Sequence, residues 1–322
     1  MDNIVKLKGG SLNSTCLHTN ESTAFVRKLI STNTDREYGY VRWYSQLKKL
    51  QRFNTMFPGL TPQVLDVGVN DAGAYFDIEY ISDATDVKTL FVNNQLTGTQ
   101  LSNLHTSLWN AFDRLHSVTY KHNPTSLGLY FKEEVDQKLA DARKFQEFES
   151  FYQLDQYEYF GKTVPGLKEN FEKFKSLFST QIDSECYVHG NPTLENILYS
   201  PSTNKITFID LYEEGIVDSK YADYSQVLQC SNSYYGIYND NIKLVEGNVV
   251  QSTVAIPEEL KAFNILFSTE IINRYGDDKH RLVKLFEATQ FFRMLPFKCH
   301  AGDFTAAKFF YAHACYLVNQ LL

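Results

Sequence analysis

The stretch that most constrains how this chain can fold is residues 186–215, CYVHGNPTLENILYSPSTNKITFIDLYEEG. It opens with His189-Gly190-Asn191, carries Asn196 five residues later, and reaches Asp210 at the end of an apolar run. Residues 197–199 and 206–209 are rich in β-branched and aromatic side chains, and residues 200–205 between them have turn chemistry. The pattern therefore predicts a β-hairpin. Such a hairpin returns Asp210 to the neighbourhood of Asn196, because its two ends lie side by side. Two converging oxygen donors suit a magnesium ion, which keeps waters and phosphate oxygens as its other ligands.

A chain of 322 residues has room for one large domain or for two lobes with substantial cores. Its 43% hydrophobic and 21% charged residues are those of a globular protein. The 21 Tyr and 24 Phe leave rings for a surface or pocket as well as for a core. Thirty-eight acidic against 31 basic residues give a net charge of −7, which argues against a general nucleic-acid binder. The opening Met1-Asp2-Asn3-Ile4-Val5-Lys6 lacks the apolar region and cleavage site of a signal peptide. No run of 18 apolar residues occurs, so a cytoplasmic protein without a membrane span is expected. The five cysteines are scattered without CxxC spacing, as free thiols in a reducing compartment would be, and the eight histidines form no HExxH pattern.

Upstream, residues 4–30 read as strand, turn and strand, with Gly9-Gly10-Ser11 in the turn. Glycine there lets backbone N–H groups approach phosphates closely. The strand 24–30 alternates its faces, with Ala24, Val26, Lys28 and Ile30 on one and Phe25, Arg27 and Leu29 on the other. Residues 35–53 have the spacing of an amphipathic helix with Val41, Tyr44, Leu47 (or the stem of Lys48) and Leu50 as its stripe. Glu37 falls in its first turn, where a carboxylate is favourable in any case. A second hairpin is expected over 62–69 and 74–81, around Asn70-Asp71-Ala72-Gly73. Beyond residue 82 helices dominate: 99–118, ending near His116, then 132–148 and 167–178, with an aromatic-rich connection over 149–160. Residues 221–322 read as helices dense in aromatics.

In these surroundings His189-Gly190-Asn191, Asn196 and the strand ending Ile209-Asp210 resemble the catalytic core of the aminoglycoside phosphotransferase and choline kinase group. These are small-molecule kinases with a protein-kinase-like fold, and their pattern is His-Gly-Asp, four residues, Asn, then a strand ending Ile-Asp. The resemblance covers residues 1–240. It implies an α+β fold of two lobes, a small β-rich N-lobe over 1–81 and a larger, mainly helical C-lobe over 82–322. It also implies ATP as co-substrate and Mg2+ as cofactor. Gly9, Gly10 and Ser11 would then cover the nucleotide, Lys28 (with Arg27 as the alternative) would meet its phosphates, and Glu37 would pair with that cation. The backbone of Glu79, Tyr80 and Ile81 would meet the adenine, and Asn196 and Asp210 would hold the metal. His189 would brace the loop, and Asp223, at a helix start, would support it or serve only its own helix.

The activity implied is phosphoryl transfer to a hydroxyl of a small molecule, with no nucleic-acid or membrane partner. A sugar or glycan precursor is preferred to an amino alcohol or aminoglycoside, because rings able to stack are plentiful, as around 231–240, and no acidic cluster for a polycation is evident. One position departs from the group: Asn191 stands where its base is Asp. An amide oxygen can orient a hydroxyl but cannot take its proton. Three readings follow. The chain is a kinase disabled by exchange of Asp for Asn, a natural pseudokinase that binds nucleotide or scaffolds a partner, or an enzyme with another base or another reaction such as nucleotidyl transfer.

Overall fold

The computed structural model describes residues 3–7, 14–21, 23–31, 39–121, 123, 125–179, 184–212, 215–241 and 243–322. They fall into two compact units that interleave along the chain. One is formed by 1–90, 98–117 and 189–215, and the other by 91–97, 118–188 and 216–322. The class is α+β, with a β-rich N-terminal region and a mainly helical C-terminal region.

The first unit is built on an antiparallel sheet of β1 (Asn3–Lys6), β2 (Ser14–Thr19), β3 (Ala24–Ser31), β4 (Val64–Asn70) and β5 (Gly73–Glu79), in the spatial order β1-β2-β3-β5-β4. Central β3 alternates as its sequence predicts, burying Val26, Lys28 and Ile30. In the turn from β4 to β5, the Asn70 side-chain oxygen accepts from the N–H groups of Ala72 (2.9 Å) and Gly73 (3.1 Å). Gly73 has φ +149, and a Cβ there would stand 1.9 Å from the Ile30 carbonyl oxygen. Only glycine lets β5 begin this close to β3.

Helix α1 (Val41–Met56) follows β3 and extends past the expected end at 53. Its buried stripe is Trp43, Leu47, Leu50 and Phe53, while Val41 and Tyr44, expected inside, are exposed. Both sets keep helical spacing, and the larger Trp43 and Phe53 win the inner face. The Trp43 ring lies 5.5 Å from that of Phe76 on β5. Burial of such side chains is worth about 1.5–3 kcal/mol each. The hairpin read from the sequence is present as strands Ile197–Ser200 and Lys205–Phe208, with Ile197 opposite Phe208 and Ser200 opposite Lys205. A short strand, Thr85–Asp86, pairs on its other edge. Helix Gly98–Leu115 packs Phe112 at 5.4 Å from Phe208.

The second unit holds helices Lys220–Ser231, Glu258–Tyr275, Asp277–His300 and Phe304–Asn319. It also holds an unexpected four-stranded sheet of Leu244–Glu246, Val249–Gln251, Gln156–Tyr159 and Lys162–Pro165. Residues 149–160 are therefore not merely a connection, nor are 221–322 all helical. Gln156–Tyr159 alternates exposed and buried residues, and Phe160 (φ +49) and Gly161 (φ +73) make the two-residue left-handed turn that a hairpin favours. The single helix expected over 132–148 is also corrected. Ser126–Phe131 passes through a wide π turn at Lys132–Asp136 into Gln137–Ala142, and the chain then breaks before Gln146–Tyr152. The break is held by Phe145 in extended geometry, with its ring 5.1 Å from His300, and by Arg143 donating to Glu149 at 2.7 and 3.1 Å. The helix expected over 167–178 is shorter, Phe171–Ser176 followed by a 3-10 turn at Leu177–Ser179. Among the described residues, no helix is long and apolar enough to cross a membrane.

Candidate functional site

The hairpin closes at its open end where the Ile209 N–H donates to the Asn196 carbonyl at 3.0 Å. This bond joins the backbone of Asn196 to the residue before Asp210. Asp210 itself has φ +54, a left-handed conformation that aspartate tolerates and that is concentrated at functional sites. Its carboxylate accepts from the ammonium of Lys28, which reaches it from β3. The Lys28 side chain is 8% exposed and that of Asp210 34%, so the pair is buried at its cationic end. Lys28, Gln46, Phe76, Ile78, Ile209 and Asp210 line a cavity of about 10 Å³, room for no more than one water.

Arg27, on the opposite face of β3, is committed elsewhere. Its guanidinium donates to both carboxylate oxygens of Asp77 at 2.7 Å and lies 4.0 Å from the Tyr75 ring centroid. The Asp77 hydrogen bond raises the Arg27 pKa. Lys28, not Arg27, is thus the cation brought to Asp210.

The loop before the hairpin is fixed atom by atom. His189 is wholly buried. Its Nδ1 accepts from the Asn191 N–H at 3.2 Å, which leaves the proton on Nε2 to donate to the Ile209 carbonyl at 2.9 Å. Gly190 has φ +88, and a Cβ there would come within 3.0 Å of the Tyr212 Cβ. The Asn191 carbonyl accepts from the Thr193 N–H and from Asn196 Nδ2, both at 2.9 Å. Asn191 is half-buried with its backbone held from both sides. His189, Asn191, Asn196 and Asp210 are therefore gathered on one backbone framework with Lys28 beside it.

Other candidates are placed less tellingly. Gly9, Gly10, Ser11 and Glu37 lie outside the described residues. The Glu79 N–H donates to the Gln63 carbonyl at 2.9 Å, Tyr80 is exposed, and the Ile81 carbonyl accepts from the Ala84 N–H at 3.4 Å. His116 is buried and stacks on Phe112 at 5.3 Å. In the second unit Asp223 is buried in the first turn of Lys220–Ser231. There too Tyr235 and Tyr238 pack against Phe310 (5.5 Å) and Phe309 (5.1 Å).

Two polar side chains of α1 escaped the sequence reading. Gln46 accepts from the Lys28 ammonium at 3.3 Å and donates through Nε2 to the Leu211 carbonyl at 3.0 Å. Lys49 donates to the His189 carbonyl at 3.2 Å. The available signal was their position beside Trp43, Leu50 and Phe53 in the buried stripe, where a polar residue needs a partner.

The oxygens of Asn196 and Asp210 are hard donors suited to magnesium. Among the described residues no group of three or more His, Cys, Asp or Glu is placed to hold a metal.

No family model matches the chain, and no curated protein matches it. Among solved structures, a crystal structure of Rad53 in complex with AMP-PNP aligns with 97% of this chain at 10% identity and a TM-score of 0.32. The chain covers 65% of that structure's length.

Proposed function

We propose that this chain binds a magnesium nucleotide at Lys28, Asn196 and Asp210 and is built to transfer its terminal phosphoryl group to a hydroxyl of a small molecule. The observation that carries the reading is the Lys28–Asp210 pair set against the Asn196–Ile209 backbone bond. It gathers one phosphate-binding cation and two metal-type oxygens, the minimum that phosphoryl transfer asks of a protein.

In this reading Lys28 turns from Asp210 to phosphate oxygens. Asn196 and Asp210 hold Mg2+, which when bound neutralises charge on the transferring phosphoryl group. His189 keeps the loop in place through its two ring nitrogens and moves no proton. The N-lobe over 1–81 and the C-lobe over 82–322 supply the nucleotide and acceptor sides. Gly9-Gly10-Ser11 covers the nucleotide, and the backbone around Glu79, Tyr80 and Ile81 meets its base. Asn191 orients the acceptor hydroxyl, for which we favour a sugar or glycan precursor.

A second reading draws on the same residue. With an amide at position 191 the site has no carboxylate to accept the hydroxyl proton, which favours a nucleotide-binding module with slow or no transfer. The test is labelled-ATP turnover against a panel of sugars and amino alcohols, in the parent and in Asn191→Asp. Transfer that depends on one acceptor class supports the kinase reading. Nucleotide binding without transfer in either protein supports the module, and no nucleotide binding in either removes both.

A further inference from the structure

We infer that Lys49 is a positioning residue for the loop that carries Asn191, an inference that rests on the phosphotransferase reading. Lys49 lies on the inner face of α1 and is only 5% exposed. Burying an ammonium is costly unless it is hydrogen-bonded, and a methionine would fill the same space without desolvating a charge. Packing alone therefore does not ask for lysine here.

The ammonium lies against the 189–190 peptide and 5.7 Å from the centre of the Phe53 ring. It donates to the His189 carbonyl at 3.2 Å, and a Cβ on Gly190 would stand 3.6 Å from Nζ. The same carbonyl accepts from the Tyr212 N–H at 3.1 Å, just past Asp210. The next residue is Asn191, whose N–H is already tied to His189 Nδ1. Rotation of the 189–190 peptide would swing Asn191 away from its place, and Lys49 opposes that rotation.

Lys49 does not act alone on α1. Trp43 Nε1 donates to the Lys28 carbonyl at 3.4 Å, and Gln46 joins the Lys28 ammonium to the Leu211 carbonyl. Residues 43, 46 and 49 follow at three-residue steps along one helix face. One rigid helix thus sets the phosphate-side cation, the Asp210 segment and the acceptor-side loop relative to one another. Lys49 is the member that reaches the acceptor side.

The test uses Lys49→Met, which keeps the stem, and Lys49→Arg, which keeps the charged donor, each in the parent and in the Asn191→Asp background. Backbone amide exchange over residues 186–196 and at Tyr212 is read by mass spectrometry without ligand. Labelled-ATP turnover is read in the second background. Lys49→Met should speed exchange about tenfold or more, as loss of a charged hydrogen bond would. It should lower turnover about tenfold with nucleotide KM changed less than about twofold, the signature of lost positioning rather than lost binding. Lys49→Arg should restore much of both. Unchanged exchange in Lys49→Met overturns the inference, and so does faster exchange with unchanged turnover, which would leave Lys49 a purely structural role. If the Asn191→Asp protein turns over no nucleotide, the phosphotransferase reading fails. The exchange arm and its rescue by arginine then decide the grip of Lys49 on the loop. Should Lys49→Met not fold, Lys49→Leu, which also removes the donor, takes its place with the same expected outcomes.

Discussion

The Lys28–Asp210 pair is asymmetric, and the asymmetry predicts which end the fold can spare. In Asp210→Asn the Lys28 ammonium, 8% exposed, loses its carboxylate and keeps Gln46 Oε1 at 3.3 Å. Breaking a fully buried pair at one end costs about 3–5 kcal/mol, and breaking an exposed one about 0–1. With one partner buried and the other 34% exposed, a loss of about 1–3 kcal/mol is expected. Lys28→Met instead removes the buried charge and leaves an apolar side chain beside Phe76, Ile78 and Leu50 in the same cavity. Its effect should stay within about 1 kcal/mol of the parent, because an apolar isostere escapes the desolvation penalty. In the Lys28→Met background, Asp210→Asn should then cost almost nothing. Urea unfolding of the four proteins, compared at equal slope, measures all three differences. Equal losses from the two single substitutions, or a double variant that shows their plain sum, would refute the pairing argument.

Other consequences follow from the same geometry. Gly73→Ala should prevent stable folding of the N-terminal sheet, since its Cβ would meet the Ile30 carbonyl oxygen at 1.9 Å and neither backbone can yield; circular dichroism and a thermal melt will show it. Asn191→Asp should raise acceptor-dependent phosphoryl transfer, by about 10²–10⁴-fold if proton removal is fully general-base catalysed. A single-turnover assay reads that gain, and nucleotide affinity should hardly change. Burial lowers the pKa of His313 in the second unit to about 3, with Lys284 adding to the effect. Above about pH 6.5 the group is neutral folded and unfolded alike, and as pH falls below that only the unfolded chain takes the proton. Stability should therefore decline from about pH 6.5 toward the folded pKa, by about 1.4 kcal/mol per pH unit from this group. His313→Gln should flatten that part of a urea-midpoint profile, and an unchanged slope would show that the ring is not held neutral.

The hairpin was legible because everything that defines it is local: two β-rich runs, a polar turn, and polar residues at the closed-off end. Alternation along β3 made it legible that Lys28 shares a face with Val26 and Ile30, but not which face turns inward, so the choice between Lys28 and Arg27 waited on the structure. The phase of α1 was not legible. Val41, Tyr44, Leu47 and Leu50 share helical spacing with Trp43, Leu47, Leu50 and Phe53, and the choice falls to Phe76, on a different element. Gln46 and Lys49 did not stand out for that reason, since their partners, Leu211 and His189, are distant in sequence. The sheet of the second unit was hidden by non-locality as well. Its strands are three or four residues long, and Val249 pairs with Glu158, which lies 91 residues earlier in the chain.

The claim on which the rest depends is that Lys28 and Asp210 meet a magnesium nucleotide. Calorimetric titration of ATP, with and without Mg2+, into the parent and into Lys28→Met tests it directly. Binding to the parent should tighten with Mg2+, and Lys28→Met should lose about tenfold or more in affinity, as removal of a charged hydrogen bond to phosphate would give. Equal binding by both proteins, or no binding to the parent at millimolar ATP with Mg2+ present, would contradict it.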